Sequence, residues 1–399
     1  MVVEARADVC VVGGAGHVGA PLAAVLAQKG LRTVAYDLNR VALDSLSQGN
    51  MPFVELGGDE TLRSALAAGT LSFSHDPAVI AGVPIVVITI GTPVDRFHNP
   101  ELSIITRCID DLFPYLDSGQ TLILRSTVTP GVTEYVDQYL QAHGKSGIGV
   151  AFCPERVVQG QAIKELQTLP QIVSGTTPAA EETAARFFAR IAPKVVRMVV
   201  KEAEFAKLIC NAYRYIQFAA ANQFYMAVEA AGLDYARLLS GVKEDYPRMR
   251  DLPGPGFSAG PCLMKDTQQL AAFNNDRFPL GSTAVSINEG LPNFIVERLV
   301  AQRSLRERPV GVLGMAFKAD VDDIRESLSY KLVKILKFHG ARVLCSDEFV
   351  PDPTFVSAAD LFARSEVVIV GVPHTAYRGL RAPKGVEVVD LWDVLQRSA

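Results

Sequence analysis

Two rhythms of hydrophobic and polar positions run along the chain: short apolar runs, and longer stretches with apolar residues at helical spacing. The first run, Asp-Val-Cys-Val-Val at 8–12, reads as a strand, and Pro21 to Gly30 as a helix with an apolar face that stops on a glycine. A second strand, Arg-Thr-Val-Ala-Tyr at 32–36, ends in Asp37. Further strands at 85–90, 120–125 and 149–153 are separated by helical stretches around 59–68, 101–115 and 130–143. Strand and helix in alternation predict a mostly parallel, doubly wound α/β sheet, because parallel neighbours need a crossover connection and a helix supplies it.

After residue 201 the helical rhythm takes over. From Glu204 to Ala231 there is neither Gly nor Pro, and a helix over this stretch would be about 40 Å long at about 1.5 Å per residue. It can form the wall of a cleft and a spine between domains. Another helical region runs from about 283 to 305, and the charged Arg-Ser-Leu-Arg-Glu-Arg-Pro at 303–309 reads as a linker. Beyond it, a strand at 310–313, a helix at 328–338, Gly340 and a strand at 341–345 leading to Asp347 repeat the strand–helix–strand logic of the N-terminus. A strand at 366–370 precedes a tail with the only tryptophan, Trp392. The expected regions are therefore 1–200 with the doubly wound sheet, 201–305 helical, and 306–399 a smaller α/β domain that lacks a full G-x-G-x-x-G.

Composition narrows the class. With 399 residues, 49% hydrophobic and 21% charged, the chain has the balance of a soluble globular protein and material for several cores. A net charge of −4 argues against a nucleic-acid partner, whose phosphates call for a basic footprint. No apolar run approaches the ~20 residues of a membrane span, and the N-terminus lacks the apolar block of a secretory signal. The six cysteines show no Cys-x-x-Cys pair and no zinc spacing. No metal site is expected, and reduced thiols in the cytoplasm are the simplest reading.

Between the first strand and helix lies Gly-Gly-Ala-Gly-His-Val-Gly at 13–19, in which Gly14, Gly16 and Gly19 fit G-x-G-x-x-G. Glycines there let a pyrophosphate sit on the helix N-terminus, with His17 and Val18 in the same turn, and Asp37 can accept from a ribose hydroxyl. Strand, motif, helix, strand and acid in register predict a dinucleotide site. Asp37 favours NAD over NADP, whose extra phosphate it repels, while Arg40 is a nearby cation. Polar turns at 91–93, 126–131 and 154–156 follow the later strands. Each alone is ordinary turn chemistry, but ligands of such sheets gather beyond the carboxyl ends, so together they predict a rim for cofactor and substrate.

Lys207 and Asn211 share a face of the long helix. They are either a solvated lysine beside a neutral amide or a pair of donors for a developing oxyanion. Tyr213, Tyr215, Phe218 and Phe224 read as packing. The loop at 252–261, crowded with prolines and with Gly254, Gly256 and Gly260, is shaped for close ligand approach. It leads to Cys262, Lys265 and Asp266. If Cys262 begins a helix, Asp266 lies one turn along the same face and the helix start favours a thiolate; a buried structural cysteine is the alternative. Lys318 and Arg325 can hold phosphate oxygens or be plain surface charges.

With these motifs in this order, the chain resembles the UDP-glucose/GDP-mannose dehydrogenase family along essentially its whole length. The matching features are the N-terminal glycine motif, Gly-Thr-Pro at 91–93, Ser-Thr at 126–127, Pro-Glu at 154–155 and Lys207 with Asn211. They continue with Gly-Pro-Cys at 260–262, Lys265-Asp266, Phe-Lys at 317–318 and Asp-Ile-Arg-Glu-Ser at 323–327. The resemblance implies an N-terminal Rossmann-type NAD-binding domain, a central helical dimerisation region with the cysteine loop, and a Rossmann-like C-terminal domain for the sugar nucleotide. It also implies a homodimer joined through the central helices. The implied reaction is the NAD-dependent, four-electron oxidation of a nucleotide-sugar hydroxymethyl group to a carboxylate through a covalent thioester.

In that scheme Cys262 is the nucleophile, Lys207 and Asn211 steady the oxyanion, Asp266 and Thr127 position a water or the substrate hydroxyl, and Glu155 is the acid/base of thioester hydrolysis. Arg156, Gly256, Phe257 and Lys318 join Glu155, Lys207 and Asn211 around the substrate. Arg325 reaches the cofactor or the diphosphate, and Thr92 and Thr127 lie against NAD beside Gly14, Gly16, His17, Val18, Gly19 and Asp37. Some positions depart from the family pattern. The cysteine follows Ser-Ala-Gly-Pro at 258–261 rather than Gly-Gly and one more residue, Pro-Glu-Phe-Leu is here Pro-Glu-Arg-Val at 154–157, and a second acid is Gln159. Cys-Pro-Glu-Arg at 153–156 and Asn-Ala-Tyr-Arg at 211–214 look closer to the N-acetylhexosamine branch, Lys265-Asp266 to the UDP-glucose branch, and the sugar stays open. Two other readings share the N-terminal fold. A two-electron hydroxyacid dehydrogenase would need neither Cys262 nor the C-terminal half, and a non-catalytic NAD-binding sensor would not need Cys262, Lys207 and Glu155 together.

Overall fold

The computed structural model describes residues 7–92, 102–258 and 260–396, so that Pro93 of the first polar turn and Ala259 of the cysteine loop lie outside the described residues. The chain divides into two compact units, Met1–Cys210 and Asn211–Ala399, and the division falls inside one long helix.

The first unit contains β1 (Val9–Val12), α1 (Gly19–Gln28), β2 (Thr33–Tyr36), α2 (Arg40–Ser47), α3 (Gly58–Ala67), β3 (Leu71–Ser74), β4 (Ile85–Ile88) and α4 (Leu102–Leu112). It continues with β5 (Thr121–Leu124), α5 (Val132–Ala142), β6 (Gly149–Phe152), α6 (Ala162–Thr168), β7 (Gln171–Gly175), α7 (Pro178–Phe188), β8 (Val195–Arg197) and the start of α8 (Val200–Ala230). The strands form one sheet in the order β3-β2-β1-β4-β5-β6-β7-β8, parallel throughout except where β7 meets β6. This is the doubly wound α/β sheet expected. All of β1 is buried: Val9 and Val11 join Leu22 and Leu26 of α1 in one core, while Cys10 and Val12 join Ile105 and Ile109 of α4 in the other. A strand covered on both faces needs apolar residues at every position, which is why 9–12 shows no polar break. Helix α1 is apolar almost all round because α3 and α6 cover the side turned away from the sheet.

In the second unit the remainder of α8 is followed by α9 (Tyr235–Lys243), α10 (Leu263–Phe273) and α11 (Pro279–Gln302). Then come β9 (Pro309–Leu313), α12 (Leu328–Phe338), β10 (Arg342–Ser346), α13 (Ala358–Arg364), β11 (Val367–Val370) and β12 (Glu387–Asp390). The four strands are parallel in the order β10-β9-β11-β12. Helix α11 begins earlier than the pattern predicts because Pro279 occupies its first position, where a missing N–H costs nothing. Ser327 and Ser357 cap α12 and α13 by accepting from the N–H groups of Ser329 and Asp360. Tyr215 is buried with Ala219 and Ala284, as expected for packing, but Tyr213 and Phe224 are 61% and 50% exposed. Among the described residues no helix is long and apolar enough to cross a membrane.

Candidate active site

Parallel pairing delivers the turns after β1, β2, β4, β5 and β6 to one edge of the first sheet. The turn after β1 is held against β2, with the N–H groups of Gly13 and Gly14 donating to the Tyr36 carbonyl at 2.9 and 3.0 Å. A Cβ on Gly14 would lie 2.7 Å from that of Ala35, and one on Gly19 would lie 2.1 Å from the Gly13 carbonyl oxygen. Both are close-packed. Gly16 is exposed, and a Cβ there would meet only the Gly13 oxygen, at 3.5 Å. Val18 gives α1 no side-chain cap, so a cradle open at Gly16 faces a helix start that favours an anion. His17 is stacked on Phe53 with ring centroids 4.1 Å apart. Asp37 accepts from the N–H of Ala15 at 3.0 Å and of Asn39 at 2.9 Å, which fixes the carboxylate beside the turn and leaves lone pairs for a ribose hydroxyl. These residues fit the pyrophosphate and adenosine ribose of NAD.

The neighbouring turns are tied to one another. Thr92 donates its hydroxyl to the Thr127 carbonyl at 2.6 Å, and Ser126 donates to that of Ile90 at 2.6 Å. Glu204 of α8, fully buried, accepts from the N–H of Gly131 at 2.6 Å and from the N–H and hydroxyl of Thr133 at 2.9 and 2.6 Å. Burial raises its carboxyl above the ordinary value, and those bonds work against the rise. Glu204 thus fastens the turn at 126–131 to the helix that presents Lys207, which is 9% exposed.

Glu155, at the end of β6, is 8% exposed with both oxygens engaged. Oε2 accepts from Nε of Arg125 at 2.9 Å and from its Nη2, and Oε1 accepts from the N–H groups of Arg156 and Val157 at 2.6 and 2.7 Å. Arg125 carries no expectation from the sequence, where it reads as the last residue of a strand. Arg156 turns its own guanidinium to the Pro170 carbonyl.

In the second unit Gly256 and Gly260, in the stretch before Cys262, lie against side chains that follow β12 and β9. Gly256 has φ +153°, and a Cβ on it would fall 2.0 Å from Cη2 of Trp392. Gly260 has φ +102°, and a Cβ on it would fall 2.6 Å from Cδ2 of Phe317. Only glycine permits both the backbone and the ring contact. Asn222 grips Gly256 from α8, accepting from its N–H at 2.8 Å and donating to its carbonyl at 3.0 Å; the same amide donates to Asn288 at 2.9 Å. The Phe257 side chain is in the apolar core with Tyr225 and Leu291, so only its backbone is left to meet a ligand.

The loop delivers Cys262 to the head of α10, where it is exposed and its carbonyl accepts from the Asp266 N–H at 2.9 Å. Asp266 is fully buried. Its Oδ2 accepts from Nδ2 of Asn211 at 2.6 Å, and its Oδ1 is 2.9 Å from Nζ of Lys265. Arg325 is held by Asp323, with Nε 3.0 Å from each carboxylate oxygen. That pairing raises the guanidinium further, and the Cys262 sulfur adds to the rise, so a permanent cation acts on the thiol. Burial pushes the thiols of Cys10, Cys108 and Cys153 up to about 12 and Cys345 up to about 11. Lys318 is half-buried in the turn after β9.

Asp347 follows β10 as Asp37 follows β2, yet its surroundings differ. It accepts from the N–H groups of Met315, Ala316, Phe349 and Val350, and His374 Nε2 is 3.0 Å away, with both side chains fully buried. His374 Nδ1 accepts from the Asp320 N–H at 2.9 Å, so Nε2 is the donor to Asp347. Burial alone would raise this carboxyl, but the bond from His374 and those from the backbone N–H groups hold it down to about 2. The second sheet offers no open acid at this position for a ribose.

Residues 7–192 match the NAD binding domain of the UDP-glucose/GDP-mannose dehydrogenase family, 201–290 its central domain and 311–397 its UDP binding domain. The chain is 29% identical to an NDP-N-acetyl-D-galactosaminuronic acid dehydrogenase of Ralstonia nicotianae, over 92% of this chain and 91% of that one. Among solved structures it is similar to UDP-D-ManNAc dehydrogenase from Pyrococcus horikoshii, with TM-score 0.90 and 25% identity over 98% of this chain and 96% of that one. A UDP-glucose dehydrogenase from Pyrobaculum islandicum aligns with TM-score 0.88 and 27% identity over 99% and 96% of the two chains. The three matched domains account for most of the chain in sequence order, and the chain belongs to the UDP-glucose/GDP-mannose dehydrogenase family.

Proposed function

We propose that the protein oxidises the hydroxymethyl group of a nucleotide-diphosphate hexose, a UDP-N-acetylhexosamine before UDP-glucose, to the carboxylate. The observation that carries this reading is the head of α10. An exposed thiol under the influence of Arg325 stands one turn from a buried carboxylate held by Asn211 and Lys265. The names of the Ralstonia and Pyrococcus relatives support the N-acetylated sugar.

NAD, when bound, supplies the hydride acceptor for both oxidations. The first oxidation removes a hydride and a proton from the alcohol and leaves an aldehyde. Cys262, as thiolate, adds to the carbonyl carbon and forms a thiohemiacetal, which keeps the aldehyde from escaping and can yield a second hydride. What remains is a thioester; water then displaces the thiolate and releases the acid. We assign Lys207 and Asn211 to the oxyanion, and Asp266 and Thr127 to positioning the hydroxyl or the water. Glu155 is assigned to the hydrolytic step. Lys318, Arg156 and the backbone of Gly256 and Phe257 are assigned to the sugar nucleotide, Arg325 to its diphosphate, and Thr92 to the cofactor.

A two-fold homodimer on α8 belongs to the same proposal. Ile209, Tyr213 and Phe224, 52%, 61% and 50% exposed, form one apolar stripe on that helix. Light scattering that finds only monomer at micromolar concentration would overturn it. Six cysteines without a disulfide support a reducing compartment, the cytoplasm.

The deciding experiment counts NADH per sugar oxidised across UDP-, dTDP- and GDP-hexoses. Two equivalents support the thioester route, one supports a two-electron dehydrogenase, and none supports a sensor. A Cys262→Ala variant that still makes acid with two NADH would end the thioester proposal.

A further inference from the structure

Arg125 is a guanidinium with 1% exposure at the end of β5, a place where the strand before it is entirely buried. Buried arginine is tolerated only with its donors satisfied, and here each of its three nitrogens donates. Nε and Nη2 donate to Oε2 of Glu155, and Nη1 donates to the Cys153 carbonyl at 3.2 Å and to Oε1 of Gln171 at 3.0 Å. Gln171 in turn donates to the Pro154 carbonyl at 3.1 Å, and the Phe188 ring lies under the guanidinium at 5.0 Å. The fork therefore gathers the ends of β5, β6 and β7 around one carboxylate. For stability alone, apolar residues of similar volume would serve a buried site as well or better. An ion pair kept there defines something else: the position and direction of the Glu155 carboxylate.

We infer that Arg125 is a positioning residue for the hydrolytic half of the reaction, holding the Glu155 carboxylate fixed in place and direction at the sheet edge. The inference rests on the assignment of Glu155 to thioester hydrolysis. With Arg125 taking one oxygen and the N–H groups of Arg156 and Val157 the other, the carboxylate can neither rotate nor shift along the edge. Without the fork, Oε2 of a buried carboxylate would lose both its donors and be left to turn toward another.

The test compares Arg125→Met, Arg125→Lys and Glu155→Gln as full-length proteins, by steady-state kinetics and by intact-protein mass after mixing with NAD and the UDP-sugar that the wild type oxidises. In Arg125→Met, kcat should fall about tenfold or more while KM for sugar and for NAD stays within about twofold, and an acyl adduct should accumulate on Cys262. Arg125→Lys keeps the charge but loses the fork, and should show the same adduct at smaller amplitude. Should Arg125→Met fail to fold, by its melting curve, Arg125→Lys carries the test alone. An adduct in Glu155→Gln with none in a folded Arg125 variant overturns the inference and leaves the proposed function standing. No adduct in Glu155→Gln removes the assignment of Glu155, and the inference with it.

Discussion

Asn211 donates its side-chain amide to Asp266 across 55 residues of sequence, Nδ2 to Oδ2 at 2.6 Å, and both side chains are buried. The bond joins the long helix to the helix that begins at Cys262. Truncating Asn211 leaves one oxygen of a buried carboxylate without its donor. Asn211→Ala should therefore cost about 1–3 kcal/mol of stability, and Asn211→Asp, which sets a second carboxylate against the first, should cost more. Urea denaturation midpoints at constant m-value measure both. Equal stability of wild type and Asn211→Asp would mean the bond is not made in solution.

Thiol reactivity should separate along the line between burial and charge. Cys10, Cys108, Cys153 and Cys345 are raised to about 11–12 by burial, whereas Cys262 is exposed at a helix start under the influence of Arg325. At about pH 7.5, iodoacetamide should modify Cys262 faster than those four by roughly tenfold or more, and inactivation should follow that one site. Peptide mapping of a partly inactivated sample reads the order directly; label appearing first on any of the four would contradict it.

Cofactor choice follows from Asp37. Its carboxylate is fixed beside the glycine turn by the Ala15 and Asn39 N–H groups, so a 2′-phosphate would meet a negative charge that cannot turn away. NAD should be preferred over NADP by about tenfold or more in kcat/KM, which takes only about 1.4 kcal/mol. Asp37→Ser should narrow that ratio mainly by improving NADP. Equal use of both cofactors by the wild type would show that Asp37 does not face the ribose.

Asp347 gives the fold an acid-sensitive bond. Its carboxyl is depressed when folded, so its stabilising contribution is complete above the ordinary carboxylate value and is lost as pH falls through the folded one. From about 3.8 down to about 2, at roughly 1.4 kcal/mol per unit, that contribution is about 2.5 kcal/mol. Between about pH 5 and pH 2 the wild type should lose about 2 kcal/mol more stability than Asp347→Asn. Parallel denaturation curves for the two proteins across that range would refute the assignment.

The parts legible in the sequence are those whose signal is local. The apolar run at 9–12, the glycines that follow and Asp37 sit within one strand–helix–strand unit, and each residue's role depends on near neighbours. Asp347 offers the same local signal and means something else, because His374 comes from another loop to seal it. Arg125 looks like a strand's end until Glu155 and Gln171 are seen beside it. Glu204 lay unremarked in a helical pattern, since a side chain that serves a distant turn leaves no period. Between 154 and 200 the chain packs two helices and two strands, both strands running against β6, and a reversal of strand direction leaves no mark in the order of apolar residues. Tyr213 and Phe224 read as packing in the sequence and are half exposed or more in the structure, since spacing alone cannot say which apolar stripe the chain leaves uncovered.

The contact between Trp392 and Gly256 has a consequence in time. Trp392 is set in place by its own corner, its N–H donating to Asp390 at 3.0 Å and its indole to the Val370 carbonyl at 3.2 Å, so none of that support exists until β12 has been made. A ribosome adds roughly 5–20 residues per second, and domains fold as they emerge. The first unit can thus be complete on the nascent chain on the order of ten seconds before the loop leading to Cys262 meets the ring that shapes it. The thiol's surroundings are among the last parts of the protein to be finished.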